Sequence, residues 1–305
     1  MIDIKKRIAL VEELVAKGSR ESLTYAALEC RLTIEKICYD RLLQSHNYIA
    51  RADLKKWTPA QVVKQIAEEA NENIATGLTL SISKEPVTKG KEPKTQADYE
   101  KFEYVQVGQQ IGFNISKVHS LWQALSRIAL HITLPEENQP VSIYGNQDAI
   151  KKKLAEAVTL FKKFQEETLI MGSMGQENSF ECPGCKTLIR RNADLLKTGQ
   201  VINCFNPLCD ETYTVNRGDA HITYGRRFVP VVCKACSNTN LIQTKLVEKL
   251  RFPDALEAEC KECGESTHIR LQLVQEEVRQ KDGRDDLIAI KDCVDLQIEN
   301  ARGLP

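Results

Sequence analysis

Cys182-Pro183-Gly184-Cys185 and Cys204-Phe205-Asn206-Pro207-Leu208-Cys209 are followed by Cys233-Lys234-Ala235-Cys236 and Cys260-Lys261-Glu262-Cys263. These four close pairs hold eight of the eleven cysteines. Eighteen residues separate the first two pairs and twenty-three separate the last two. In three of the pairs two residues lie between the thiols, so one tight turn can point both sulfurs the same way. Two such turns, brought together by short strands, close a tetrahedral site of four thiolates. The stretch repeats that arrangement once.

The pattern resembles two consecutive zinc ribbons, with ligand sets Cys182/Cys185/Cys204/Cys209 and Cys233/Cys236/Cys260/Cys263. The four-residue gap between Cys204 and Cys209 departs from the usual two and implies a looser turn. Disulfides would call for a secretory signal, and iron–sulfur ligation for a tighter three-cysteine run. Neither is read here. Four thiolates leave a zinc ion no open position for water, so two structural Zn2+ per chain are expected. Each would contribute on the order of 10 kcal/mol to folding a module with little apolar core. A metalloenzyme reading needs His221 or His268 to replace a ligand.

The chain has 305 residues, 42% of them hydrophobic and only 6% aromatic, which suits a helical domain plus metal-stapled modules. Net charge is zero, so no global field draws the protein to nucleic acid. The charge is uneven, however. Lys186 to Lys234 carries eight Lys/Arg against four Asp/Glu, and Glu276 to Glu299 carries four against eight. The N-terminus reads as neither signal peptide nor membrane span. With unpaired Cys30, Cys38 and Cys293, the expected compartment is a reducing cytoplasm, with no membrane partner.

The expected fold class is α+β multidomain: an N-terminal all-α helical bundle followed by two small β-rich ribbons. The boundaries are residues 1–172 for the bundle, 176–228 and 229–275 for the ribbons, and 276–305 for an acidic tail. Helices are expected over 2–17, 21–44, 58–74, 116–132 and 147–170. In the second, Leu23, Ala27, Cys30, Ile34 and Ile37 form one buried stripe at alternating spacings of four and three. Arg41 falls on the next position of that stripe, where it reads either as the stripe emerging into solvent, the favoured reading, or as a partly buried functional charge. Thr58, Pro59 and Gln61 read as an N-cap, first helical residue and capping box, with Trp57 packing on Val62. Residues 81–98 read as an exposed loop, and Phe102 to Val107 as a strand or irregular arm. Pro135 should stop the fourth helix. Residues 200–203, 212–215 and 221–224 alternate as half-buried strands do.

Two stretches of the helical half resemble HEPN domains, the bundles common in bacterial toxin and phage-defence ribonucleases. One is Ala27-Leu-Glu-Cys-Arg31-Leu-Thr-Ile-Glu35-Lys-Ile, and the other is Leu121-Trp122-Gln-Ala-Leu-Ser126-Arg127-Ile-Ala-Leu-His131. The resemblance implies a homodimer whose composite site cuts RNA without metal. Arg127 and His131 would be catalytic, and Arg41 with His46 the alternative pair. Imidazole would move protons at the ribose 2′-hydroxyl while arginine stabilises phosphate charge. Arg127 and His131 are four residues apart, which would put both on one helical face. The family spacing would instead put the arginine at position 126, which is Ser126.

Two functions compete. In the first the protein is an effector that binds RNA or single-stranded DNA, an endoribonuclease if active. Its grip would come from Arg190, Arg191, Lys197, Arg226 and Arg227, with Phe205, Tyr213 and Tyr224 nearby for stacking. In the second it is a non-catalytic adaptor whose bundle dimerises and whose ribbons bind a protein partner. Zero net charge and the acidic tail favour that reading.

Overall fold

The computed structural model describes residues 3–54, 56–87, 92–132, 141–219, 221–273 and 294–300. They divide into two compact units, Met1–Phe180 with Ile189–Leu196, and Glu181–Leu188 with Lys197–Pro305. β4 (Leu188–Asn192) therefore counts almost wholly with the helical unit, although its sequence continues from the first cysteine pair.

The helical unit is built on α1 (Ile4–Lys17), α2 (Arg20–Ser45), α3 (Pro59–Glu69), α5 (Ile115–Leu125) and α6 (Gln147–Phe164). Gly18 ends α1 in the left-handed region at φ 65°, and its amide donates to the Val15 carbonyl. The Ser19 hydroxyl then caps α2 by accepting from the Ser22 amide. The stripe expected on α2 is the core side of that helix: Leu23, Ala27, Cys30, Ile34 and Ile37 are all buried. Against it pack Ile8 and Val11 of α1, Val62 and Ile66 of α3, Leu125 of α5, and Leu154 and Phe161 of α6. Burial pushes the Cys30 and Cys38 thiols up to about 12, so both behave as small apolar side chains.

The bundle is not all-α. β1 (Leu78–Ser83) pairs antiparallel with β2 (Tyr104–Gln110), and the short helix α4 (Gln96–Tyr99) lies between them in sequence. The stretch read as a loop thus begins inside a strand. Leu80–Ser81–Ile82 alternates over too few residues to stand out from its Lys/Pro/Thr-rich surroundings. At α3, Thr58 is the N-cap residue and Pro59 opens the helix, but the Thr58 hydroxyl makes no capping hydrogen bond and is buried without a partner. Trp57 stays half exposed, with the Arg51 guanidinium 5.2 Å from its ring centre. The fourth expected helix holds its α-form only to Leu125. Ser126–Leu130 is a π-helical turn, and His131 has left the helix at φ −124°, ψ 137°. Pro135 and most of the acidic tail lie outside the described residues.

The second unit is made of short antiparallel strands. β5 (Val201–Asn203), β6 (Thr212–Arg217) and β7 (Ile222–Arg226) form one sheet in that order. β8 (Phe228–Val232) pairs with β9 (Thr239–Gln243), and α7 (Thr244–Glu248) follows. β10 (Ala255–Glu259), β11 (Ser266–Leu273) and β12 (Val294–Asn300) make the last sheet. β3 (Glu177–Glu181) pairs with β4 and carries the chain into the first cysteine turn.

Candidate metal centres and a helical cleft

Three of the four cysteine turns share one backbone design. Lys186, Ser237 and Gly264 each follow the second cysteine of a pair and each sit in the left-handed region, at φ 62°, 59° and 73°. Their amides donate back to the carbonyls of Cys182, Cys233 and Cys260 at 2.7, 2.8 and 2.9 Å. The amides of those same three cysteines donate forward to Thr187, Asn238 and Glu265. This double clasp turns both sulfurs of a pair to one side. The Cys204–Cys209 turn has four intervening residues and a different closure, with the Cys209 amide donating to the Asn206 carbonyl.

The turns bring the thiols together as two groups of four, Cys182/Cys185/Cys204/Cys209 and Cys233/Cys236/Cys260/Cys263. Within the first, Cys182 and Cys209 Sγ are 3.8 Å apart and Cys185 and Cys204 Sγ are 3.5 Å apart. Within the second, Cys233–Cys263 and Cys236–Cys260 measure 3.7 and 3.6 Å. A tetrahedron with metal–sulfur bonds of about 2.3 Å has edges of roughly 3.8 Å, so each group could hold one metal ion. No cysteine among the described residues is in a disulfide. His221 and His268 join neither group.

The two centres differ in their surroundings. In the first, Cys182, Cys204 and Cys209 are buried and Cys185 is partly covered. The Tyr213 hydroxyl donates to Cys182 Sγ at 3.1 Å from a fully buried ring. Glu211 is also buried. It accepts from Arg226 Nε at 2.9 Å, and its Cγ lies 2.9 Å from where a Cβ on Gly184 would stand, which restricts that turn position to glycine. Lys245 of α7 donates to the Cys209 carbonyl at 2.9 Å. Burial alone would raise the Cys185 thiol, but hydrogen bonding with Thr187 and the neighbouring sulfurs brings it down to about 6. In the second centre Cys233 and Cys260 are buried while Cys236 and Cys263 are exposed. The Asn240 side chain and the amides of the 260–265 turn hold Cys260 down to about 6. Their neighbours move the other way: burial raises Cys204 and Cys209. Against the backbone hydrogen bonds at Asn238 and Glu265, the adjacent thiols and desolvation raise Cys236 and Cys263. Within each group the sulfurs thus share protons unevenly until a metal displaces them.

The basic residues expected to grip nucleic acid have other engagements. Arg191 is buried and paired with Asp53 at 2.8 Å inside the helical unit, so it presents no charge to solvent. Arg226 holds Glu211, Arg227 pairs with Glu248 at 2.8 Å, and Arg190 lies 3.6 Å from Glu177. Lys197 is exposed. Tyr213, read as a stacking residue, is buried and donates to Cys182 of the first four-thiol group. Sequence reasoning missed that role because the hydroxyl's partner lies 31 residues away.

Arg41 is likewise not a surface charge. It is fully buried, salt-bridged to Glu167 at 2.6 Å, and donates to the carbonyls of Ile37, Ile74 and Ile111. Its guanidinium lies over Phe113 and Phe164. The stripe does not emerge into solvent; an ion pair closes it. His46 is exposed at the end of α2, with Nδ1 2.6 Å from the Leu43 carbonyl. The alternative catalytic pair is thus divided between core and surface.

The helical stretches 27–37 and 121–131 meet. Glu35 accepts from Arg31 Nε at 3.1 Å and from Trp122 Nε1 at 2.9 Å. The Arg31 guanidinium lies 4.5 Å from the Trp122 ring centre. Beside them opens a cleft of about 540 Å³, lined by Arg31, Trp122, Ser126, Arg127 and His131 among others. Arg127 and His131 do not share an α-helical face, because the π turn and the extended His131 backbone break that spacing. They share the cleft instead. π turns recur at functional positions because they re-aim side chains that an α-helix would hold in line.

No family model, curated protein or solved structure matches the chain. What fold and sites define is a class: a helical unit followed by an antiparallel unit carrying two four-thiolate groups suited to metal ions. No described helix is long and apolar enough to cross a membrane.

Proposed function

We propose that the protein is a zinc-stapled effector that acts on single-stranded RNA through the helical cleft. The observation that carries this reading is the lining of that cleft. Arg127 and His131 supply cationic or protonatable groups, Trp122 supplies an aromatic surface, and Arg31 stands at the edge as an ion pair with Glu35. Such a lining suits a phosphodiester flanked by an unstacked base. His131 would take the proton of the attacking 2′-hydroxyl and Arg127 would stabilise the phosphorane oxygens. Both four-thiolate groups hold zinc in this reading. The donor set and sulfur spacings support zinc, and full coordination makes the ions structural. Closed thiolate sites and reduced, buried Cys30 and Cys38 support a cytoplasmic setting.

The test is cleavage of a mixed-sequence single-stranded RNA in the presence of chelator sufficient to remove free metal. Wild type should cut, His131→Ala should not, and both should carry two zinc ions by elemental analysis. Equal rates for the two proteins would remove His131 from the chemistry.

The adaptor reading has its own observation. Tyr25, Leu28, Leu32 and Leu43 are exposed on α2, an apolar face that a second copy or a protein partner would cover. A monomer by light scattering, together with no RNA retention at low salt, would favour a heterologous partner on that face.

A further inference from the structure

The second metal centre departs from the first in a way that gives it separate chemistry. Cys236 and Cys263 are exposed, and each has a buried thiol as its near neighbour on the opposite turn. Cys260 Sγ lies 3.6 Å from Cys236 Sγ, and Cys233 Sγ lies 3.7 Å from Cys263 Sγ. An exposed sulfur beside a buried one is the arrangement that an attacking thiolate and a resolving thiolate require. In the first centre no sulfur is exposed: the most accessible, Cys185, is partly covered, hydrogen-bonds Thr187 and lies 3.5 Å from buried Cys204. Three of its sulfurs are buried, and Tyr213, Thr187 and the Glu211–Arg226 pair surround them.

We propose that the second centre is a site of reversible oxidation by peroxide-class oxidants, releasing its zinc while the first centre keeps its own. The inference rests on the zinc reading above. In the first step the Cys236 or Cys263 thiolate attacks a peroxide oxygen. The O–O bond breaks, a sulfenic acid forms and hydroxide leaves. In the second step the buried thiolate across the turn attacks the sulfenyl sulfur and expels a second hydroxide, forming the disulfide. Each disulfide takes two electrons from two thiolates and consumes one peroxide, so closing both pairs takes four electrons and two peroxides, and the bound Zn2+ is released without a change of oxidation state. The 3.6 and 3.7 Å contacts favour Cys236–Cys260 and Cys233–Cys263 as the products.

The experiment uses the full chain loaded with two zinc ions and titrated with hydrogen peroxide beside a colorimetric zinc indicator. One zinc per chain should leave at least roughly tenfold faster than the other, as expected when exposure and thiolate access set the rate. Peptide mapping after the fast phase should find the two cross-turn disulfides, with Cys182, Cys185, Cys204 and Cys209 still alkylatable once denatured. A thiol reductant with added zinc should restore two ions. Tyr213→Phe should speed the slow phase and leave the fast one unchanged. Release of both ions at one rate, or first oxidation at the 182–209 cysteines, overturns the proposal alone. A protein that cannot be loaded with two zinc ions sinks both this proposal and the zinc reading.

Discussion

In the helical unit, apolar side chains from α1, α2, α3, α5 and α6 meet in one continuous core. Around the second cysteine group the buried apolar cluster, among the described residues, is Val231, Ile242, Leu250 and Ile269, with a fringe of partly covered residues. The first arrangement excludes enough water to hold itself together. The second does not, and its strands converge on four sulfurs that a metal would join. A metal can replace a core because its binding free energy is folding free energy when no site exists in the unfolded chain. The comparison therefore predicts that each unit fails under a different insult.

The largest effect should follow metal removal. Stripping with a strong chelator withdraws on the order of 10 kcal/mol per site. Residues 197–273 should become protease-sensitive while the helical circular dichroism signal persists. Loss of both together would mean that the helical unit depends on the metal. The converse insult is Phe161→Ala in the centre of the helical core, expected to cost about 3–5 kcal/mol. Arg41→Met should cost a similar amount, about 3–5 kcal/mol, because it leaves the Glu167 carboxylate buried and unpaired. Adding Glu167→Leu to Arg41→Met should recover much of that loss. In all three variants thermal melting of the helices should drop while zinc content stays at two per chain. A smaller effect belongs to Tyr213→Phe, which removes one hydrogen bond to Cys182 and should cost about 1 kcal/mol, read as a modest rise in zinc dissociation from the first centre only. The smallest is a gain. Ser237→Gly relieves a left-handed non-glycine residue and should stabilise the second cysteine module by about 1 kcal/mol in chemical denaturation.

The parts legible in sequence were those with local causes. The apolar stripe of α2, the Gly18–Ser19 break and the cysteine turns all depend on residues within one or two turns of each other, and the structure has them as read. The chemistry between distant segments was not legible. Arg41 and Glu167 lie 126 residues apart, and Arg191 and Asp53 lie 138 apart. The α2 stripe left a partly buried Arg41 open as the less favoured reading, but nothing local named Glu167 as its partner, and nothing local marked Arg191, read as a nucleic-acid contact, as buried. The π turn at Ser126–Leu130 was hidden for another reason. Its residues are ordinary helix formers, and the Ser126 hydroxyl bonding to the Trp122 carbonyl is visible only in the backbone that it accompanies.

The return of residues 189–196 to the helical unit bears on how the protein is made. Asp53 leaves the ribosome well over a hundred residues before Arg191, the guanidinium that neutralises it inside the helical unit. Cys182 and Cys185 emerge in between. A nascent chain can thus form its helices early, but it completes their packing only after half of the first thiolate set has been synthesised. A fragment cut at residue 180 would be held at the same unfinished stage.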